Sequence, residues 1–243
     1  LVGYLLNWGL YGVLSVQVCI YYAAFPDDKT GTKSLVYGTY ILETIQTVLV
    51  THDAFHALVI GFGNLDCLTR TNFTWLTAGV MAGLIACIVQ IFYAYRIYVF
   101  SKSKIMAAFI TLMALTQCSA GIVAGSLAAV VSNWTMLTFK SVRIASGIWT
   151  AVSAACDVVI AICMSYQASI FLSRRKSILK STQTLLTRII KLVIGTGIFT
   201  ALVAILSLVL FEATHLRGAL FSTPGLILAK FYSNSMMVIL NSR

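Results

Sequence analysis

Seven apolar stretches, each long enough to cross a bilayer, run through the chain with short polar gaps between them: 1–24, 34–60, 74–98, 105–131, 144–172, 188–211 and 221–240. The hydrocarbon core of a membrane takes about 20 residues of helix. Inside lipid a backbone must satisfy its own hydrogen bonds, so runs of this kind are predicted to be helices. A barrel would show alternating segments of about ten residues, whereas these runs are continuous. The expected fold is all-α, an integral membrane seven-helix bundle forming a single domain over residues 1–243. Composition agrees with it. Charged residues make up 10% of the chain against about 25% in soluble domains, too few to cover a surface facing water. The two prolines, Pro26 and Pro224, fall at borders of the predicted spans, where a helix starts or stops. Leu1 is not Met and lies inside an apolar run, so the sequence is expected to start within a longer product.

The net charge of +10 raises nucleic acid as a partner, but the basic residues sit at span ends and in short gaps, without interleaved aromatics. Anionic lipid headgroups are the simpler partner, and no nucleic acid is expected. With seven spans the gaps alternate between two faces. One face collects Lys29, Lys33, Lys102, Lys104, Arg174, Arg175, Lys176, Lys180 and Arg243, with Arg96 and Arg188 at span ends. The other holds Arg70, Lys140, Arg143 and Arg217. The positive-inside rule makes the first face cytoplasmic, with the N-terminus outside or luminal and the C-terminus inside, in the plasma membrane or an endomembrane. Two N-x-T sequons, at Asn72 and Asn133, fall in gaps assigned outside and are the glycosylation candidates. Trp75 and Trp134 near the same boundary suit an aromatic belt. The gap from Ser173 to Thr187, rich in Arg, Lys, Ser and Thr, is read as a headgroup contact, with phosphorylation-controlled docking as the alternative. Of six cysteines, Cys19, Cys87, Cys118, Cys156 and Cys163 lie in apolar runs and Cys67 in a gap, so a disulfide framework is not expected and buried small hydrophobes are.

Five segments carry a resemblance: Asn7-Trp-Gly-Leu-Tyr-Gly12, Ile88-Val-Gln-Ile-Phe-Tyr-Ala-Tyr-Arg-Ile-Tyr98, Ala155-Cys-Asp-Val-Val-Ile-Ala161, Thr196-Gly-Ile-Phe-Thr200 and the ending Lys230-Phe-Tyr-Ser-Asn-Ser-Met-Met-Val-Ile-Leu-Asn-Ser-Arg243. Together they resemble a family of fungal, mainly basidiomycete, seven-helix membrane proteins with an uncharacterised C-terminal domain. The likeness spans nearly the whole chain and is most specific at the ending. It implies a seven-helix bundle and a fungal origin, and it transfers no catalytic residue. Better-known seven-helix classes fit less well. Arg96 is preceded by Tyr95 rather than by the acidic residue of rhodopsin-like receptors, and Tyr232-Ser-Asn-Ser-Met236 stands where those receptors carry an Asn-Pro-x-x-Tyr kink. The receptor form therefore serves only as an analogy.

Ionisable groups at membrane depth are functional candidates by default. Span two holds Glu43, His52, Asp53 and His56, span five Asp157 and span seven Lys230, with Asn7, Gln17, Gln46, Gln90, Gln117 and Asn234 as neutral polar groups. His52 and His56, four apart, share a helical face, and His215 in an outer gap would complete a three-histidine zinc set. The main reading of this group is a polar, water-accessible outer mouth with no metal; helix–helix hydrogen bonding is the alternative. Asp157 and Lys230 fall at similar depth and are expected to pair as a latch between spans five and seven, or as part of a ligand cavity. Arg96 is the expected partner of Glu43. A retinal Schiff base at Lys230 is disfavoured, because span three has no acidic counter-ion and residue 226 is Leu. Gly79/Gly83 and Gly121/Gly125 form G-x-x-x-G faces, read first as packing within the chain and second as a homo-oligomer contact. Gly195-Thr-Gly197 is expected to allow a bend in span six. No phosphate loop, nucleophile elbow or HExxH occurs.

Three function classes remain. The first is a receptor-like bundle holding a small lipophilic ligand between spans two, three, five and seven, without a cofactor. Its ligand-binding lining would be Glu43, His52, Asp53, His56, Gln90, Asp157, Lys230 and Asn234. The second is an intramembrane enzyme acting on a lipid or isoprenoid through the His52, Asp53 and His56 group as a metal or acid–base site. No catalytic residue is assigned. The third is a proton-coupled carrier using Asp157, Lys230 and Glu43, weakened by the odd helix count and the lack of a repeat.

Overall fold

The computed structural model describes residues 2–62, 72–131, 140–174 and 219–242, with Gly195 and Leu202. Every regular element among them is a helix. These are α1 (Val2–Ala24), α2 (Thr30–Phe55), α3 (Ala82–Ser101), α4 (Lys104–Val131), α5 (Lys140–Arg174) and α6 (Ala219–Asn241). α2 runs on into a π-helical turn, His56–Ile60, and another, Trp75–Met81, leads into α3. These elements follow predicted spans one to five and seven. The sixth span, with its Gly195-Thr-Gly197 bend, falls outside the described residues apart from Gly195 and Leu202. Pro224 is not a border: α6 begins before it, so the missing N–H falls inside the helix, where it removes one backbone bond.

Among the described residues four helical segments are long and apolar enough to cross a membrane: Val2–Ala24, Trp75–Val99, Lys104–Val130 and Ile144–Tyr166. α2 and α6 have the length, but they carry the polar residues of the interior. Burial is inside-out relative to a soluble protein. Leu5, Val13 and Val16 on α1, Ile41 and Val48 on α2, and Phe109 and Leu112 on α4 are exposed, while Glu43, Gln46, Gln90, Gln117 and Lys230 are 0% exposed. In water such an exterior would drive association; against lipid tails it is the solvated face. The chain is a membrane-type helical protein.

The segment formed by α3 and its π turn is the middle of the described bundle, in contact with α2, α4, α5 and α6. α1 packs on α2 and α6, and α4 on α5. Leu14 and Tyr21 of α1, Tyr93 and Ile97 of α3, Ile160 of α5 and Met236 of α6 meet in the main apolar core. The two small-residue faces meet each other. A Cβ on Gly79 would lie 2.9 Å from the Gly125 Cα, and one on Gly125 would lie 2.9 Å from the Trp75 carbonyl oxygen. Only glycine lets these backbones touch. α3 turns directly into α4 through Lys102, whose left-handed backbone (φ 58°) lets its N–H donate to the Tyr98 carbonyl at 2.8 Å. Among the described cysteines none is disulfide-bonded, and Cys19 faces outward rather than into the core.

Candidate functional site

α6 presents consecutive polar residues, Tyr232 to Ser235, beginning two residues after Lys230, and a helix advances about 100° per residue. Such a run points in several directions at once, and here it reaches three neighbouring helices.

Toward α2 lies a charge pair. The Lys230 ammonium is bonded to the Glu43 carboxylate, and both side chains are 0% exposed. Lys230 Nζ also donates to the Glu43 backbone carbonyl at 3.0 Å and to Gln46 Oε1 at 3.2 Å, which uses its three hydrogens. It stands 5.5 Å from the Tyr11 ring centroid, a cation–π approach from α1. The other Glu43 oxygen accepts from Ser233 Oγ. Gln46 and Glu43, three apart on α2, share a face, and Gln46 Nε2 donates to the Thr77 carbonyl at 2.8 Å in the π turn before α3.

Toward α5 and α3 lies a second group. The Tyr232 hydroxyl donates to Asp157 Oδ2. Gln90 Nε2 of α3 donates to Asp157 Oδ1 at 3.0 Å. Since the Tyr232 hydrogen goes to the carboxylate, Ser153 Oγ, 3.1 Å away, donates to the Tyr232 oxygen. Tyr93 of α3 donates to Ser235 Oγ at 3.1 Å. Toward α1, Asn234 Nδ2 donates to the Leu10 carbonyl at 3.1 Å and to the Lys230 carbonyl at 2.7 Å. Two turns further on, Asn241 repeats the clasp on the Gln17 carbonyl at 2.9 Å.

Two expected ion pairs are therefore corrected. Lys230 pairs with Glu43 rather than with Asp157, because Lys230 and Tyr232 are about 200° apart around α6 and it is Tyr232 that faces Asp157. Glu43 does not pair with Arg96, because Lys230 and Ser233 take its two oxygens; the Arg96 guanidinium lies 5.4 Å over the Phe92 ring.

The histidine group lies apart, at the far end of α2. Asp53 is buried, and both its oxygens accept from the Phe73 N–H at 3.1 Å, with Thr74 Oγ1 at 3.2 Å from Oδ2. The carboxylate thus holds the start of the segment leading to α3. His52 Nδ1 is 3.5 Å from Asp53 Oδ1, and its side chain is 56% exposed. The His52 and His56 rings are 6.3 Å apart, and His52 meets Phe73 edge-on at 5.2 Å. Among the described residues no three His, Cys, Asp or Glu side chains are grouped to hold a metal. His215 and the sequon at Asn133 lie outside the described residues. Asn72 is half-buried, two residues before the helical start at Thr74.

Of the eight expected lining residues, Glu43 and Lys230 come together, Gln90 and Asp157 come together, and Asn234 joins the same core from the α1 side. His52, Asp53 and His56 do not join it. Ser153, Tyr232, Ser233, Ser235 and Tyr93 belong to the core without having been singled out. The polar run beginning at Tyr232 in an otherwise apolar span was the sequence signal for Tyr232, Ser233 and Ser235; Tyr93 and Ser153, on other helices, had none.

Over residues 153–243 the chain is similar to a family of unknown function (DUF6534). That segment contributes Ser153, Asp157, Lys230 and Tyr232 to Ser235; Glu43, Gln46, Gln90 and Tyr93 come from the sequence before it. Neither the curated proteins nor the solved structures give a match.

Proposed function

We propose that the chain is a seven-span integral membrane protein of receptor-like type, with its amino end outside or luminal and its carboxyl end cytoplasmic. In this reading its polar core holds the head group of a small lipophilic ligand. The architecture follows the resemblance to the fungal seven-helix family and the four helices apolar enough to cross a membrane.

The observation that supports the ligand is the Glu43–Lys230 pair. A buried ion pair is rarely the most stable filling for its volume, since apolar residues of similar size often do as well or better. Such a pair between α2 and α6 therefore suggests a polar task. Lys230 offers three hydrogens toward one small volume, and Gln46 and Ser233 stand beside its partner carboxylate. A ligand with an apolar body and a hydroxyl, carbonyl or carboxylate head would take one of those acceptor places. Because α6 also carries Tyr232 against Asp157, a head group inserted on the α2 side would shift the contacts to α3 and α5.

Native mass spectrometry of the detergent-purified protein, with lipid extraction, tests this. The expected result is one small lipophile per chain, lost in a folded Glu43→Gln/Lys230→Met double variant. A wild-type protein free of any such molecule, or a double variant that keeps it, contradicts the reading.

A further inference from the structure

We propose that the seam between α1 and α2 is a lateral portal, gated by Tyr11, through which a small lipophile with a hydroxyl head passes from the bilayer to the Glu43–Lys230 pair. What passes rests on the ligand-binding reading above; the path rests on the seam itself. Trp8, Tyr11 and Ser15 fall on one face of α1, and Tyr40, Thr44 and Thr51 on one face of α2. Trp8 is 51% exposed, and Tyr11, Ser15, Tyr40 and Thr44 are half-buried. Tyrosine in membrane helices gathers at the water boundary, yet Tyr11 and Tyr40 stand near the middle of α1 and α2. Hydroxyls at that depth on the rim of the bundle call for a task.

Tyr11 stands between the seam and the pair. Its ring stacks on that of Tyr40 at 5.7 Å, with 4° between their planes, and its centroid is 5.5 Å from Lys230 Nζ. Thr44 follows Glu43 on α2, so the seam and the buried carboxylate are about 100° apart on one turn. The neighbouring joints engage backbone. Asn234 and Asn241 of α6 clasp the Leu10 and Gln17 carbonyls of α1, and glycine backbones touch where the π turn before α3 meets α4. In the seam between α1 and α2 side chain meets side chain, with Trp8 Nε1 donating to Thr51 Oγ1 at 3.0 Å one turn from Tyr11.

Each hydroxyl has one hydrogen to give. That of Ser15 goes to the Tyr11 carbonyl at 2.9 Å, and that of Thr44 to the Tyr40 carbonyl at 2.8 Å. Ser15 Oγ therefore accepts from the Tyr40 hydroxyl at 3.1 Å. The Tyr11 hydrogen is shared between Thr44 Oγ1 at 2.9 Å and the Tyr40 oxygen at 3.2 Å. When Tyr11 swings toward lipid, the remaining hydroxyl hydrogens keep their acceptors, and only that shared bond is lost. The oxygens it leaves are acceptors, so the seam favours a passing group that donates. A hydroxyl head meets that condition, and further in it accepts from Lys230 while donating to Glu43.

Dicyclohexylcarbodiimide, an apolar carboxyl reagent that dissolves in lipid, tests the path on the delipidated full chain reconstituted in phosphatidylcholine vesicles. It activates the Glu43 carboxyl; attack by the Lys230 amine then forms an amide, and the water lost leaves within dicyclohexylurea. The readout is the rate at which the peptides holding Glu43 and Lys230 become joined, followed by mass spectrometry. Tyr11→Phe keeps the ring and removes the gating hydrogen, and Thr44→Val removes its nearer acceptor. Each is expected to speed the joining about 2–10-fold, the range for one hydroxyl bond. Tyr166→Phe, at an exposed tyrosine of α5, is expected to leave it unchanged. Rates unchanged in both seam variants, a Tyr166→Phe effect as large as theirs, or no joined product in any variant overturns the portal. A protein that purifies without a lipophile yet shows the seam effect loses the ligand-binding reading and keeps the path; one that purifies with a lipophile but lacks the seam effect does the reverse.

Discussion

Replacing Lys230 by Met should be among the most damaging single changes in this protein, and most of the damage should be reversible by a second change at Glu43. Lys230 Nζ serves the Glu43 carboxylate, the Glu43 carbonyl and Gln46 Oε1, all at 0% side-chain exposure. Met fills the volume of the lysine stem but leaves those acceptors without their donor, and one of them is a buried carboxylate. Breaking a buried pair from one side costs about 3–5 kcal/mol. Glu43→Gln in the Lys230→Met background removes the stranded charge while Ser233 retains an acceptor. The double variant should therefore be more stable than the sum of the single losses by about 2 kcal/mol, within the range seen for contacting residues. The assay is a double-mutant cycle read by denaturant unfolding in mixed micelles, run in parallel for Lys230→Met with Asp157→Asn. A coupling within about 0.5 kcal/mol of zero for the Glu43 cycle, the level expected of independent sites, refutes the pairing. A larger coupling in the Asp157 cycle would refute it too.

Further outcomes follow from the same geometry. Gly79→Ala places a methyl 2.9 Å from the Gly125 backbone and should cost about 1–3 kcal/mol through overpacking. Gly147→Ala in α5, where a Cβ meets nothing within 4 Å, should instead be neutral or gain about 0.5–1 kcal/mol from helix propensity; thermal melts of both variants check the contrast. Lys102→Gly should stabilise by about 1 kcal/mol by relieving the left-handed backbone, and Lys102→Val should destabilise, both readable as shifts in the melting midpoint. Asp53→Ala should lose about 1–2 kcal/mol, as for a lost cap, with hydrogen exchange rising first at Phe73. The His52→Ala/His56→Ala double variant should keep its lipophile in native mass spectra, because these side chains stand away from the Glu43–Lys230 core.

The helices were legible because lipid leaves the backbone few choices: continuous apolar runs in Val2–Ala24 and Lys104–Val131 admit little besides a helix. The π turns at His56–Ile60 and Trp75–Met81 were not, since one extra residue per turn leaves an apolar run looking the same. The polar core was half legible. Counting residues from the span ends placed Asp157 and Lys230 at comparable depth, but depth says nothing of rotation about the axis. Two residues decide the matter: Lys230 turns to α2 and Tyr232 to α5. The G-x-x-x-G faces were recognisable as motifs, yet whether they meet within one chain depends on the antiparallel register of α3 and α4. That register is set by the short link through Lys102.

The measurement that bears most directly on the seven-span account is the side of the membrane on which each end of the chain lies. Protease protection and compartment-restricted labelling of tags placed at both ends would read it. An odd number of crossings with the carboxyl end in the cytoplasm predicts protection of the amino-terminal tag and exposure of the carboxyl-terminal tag on the cytoplasmic side. Both tags on one side would mean an even number of crossings and would contradict the seven-span architecture on which the receptor-like reading is built.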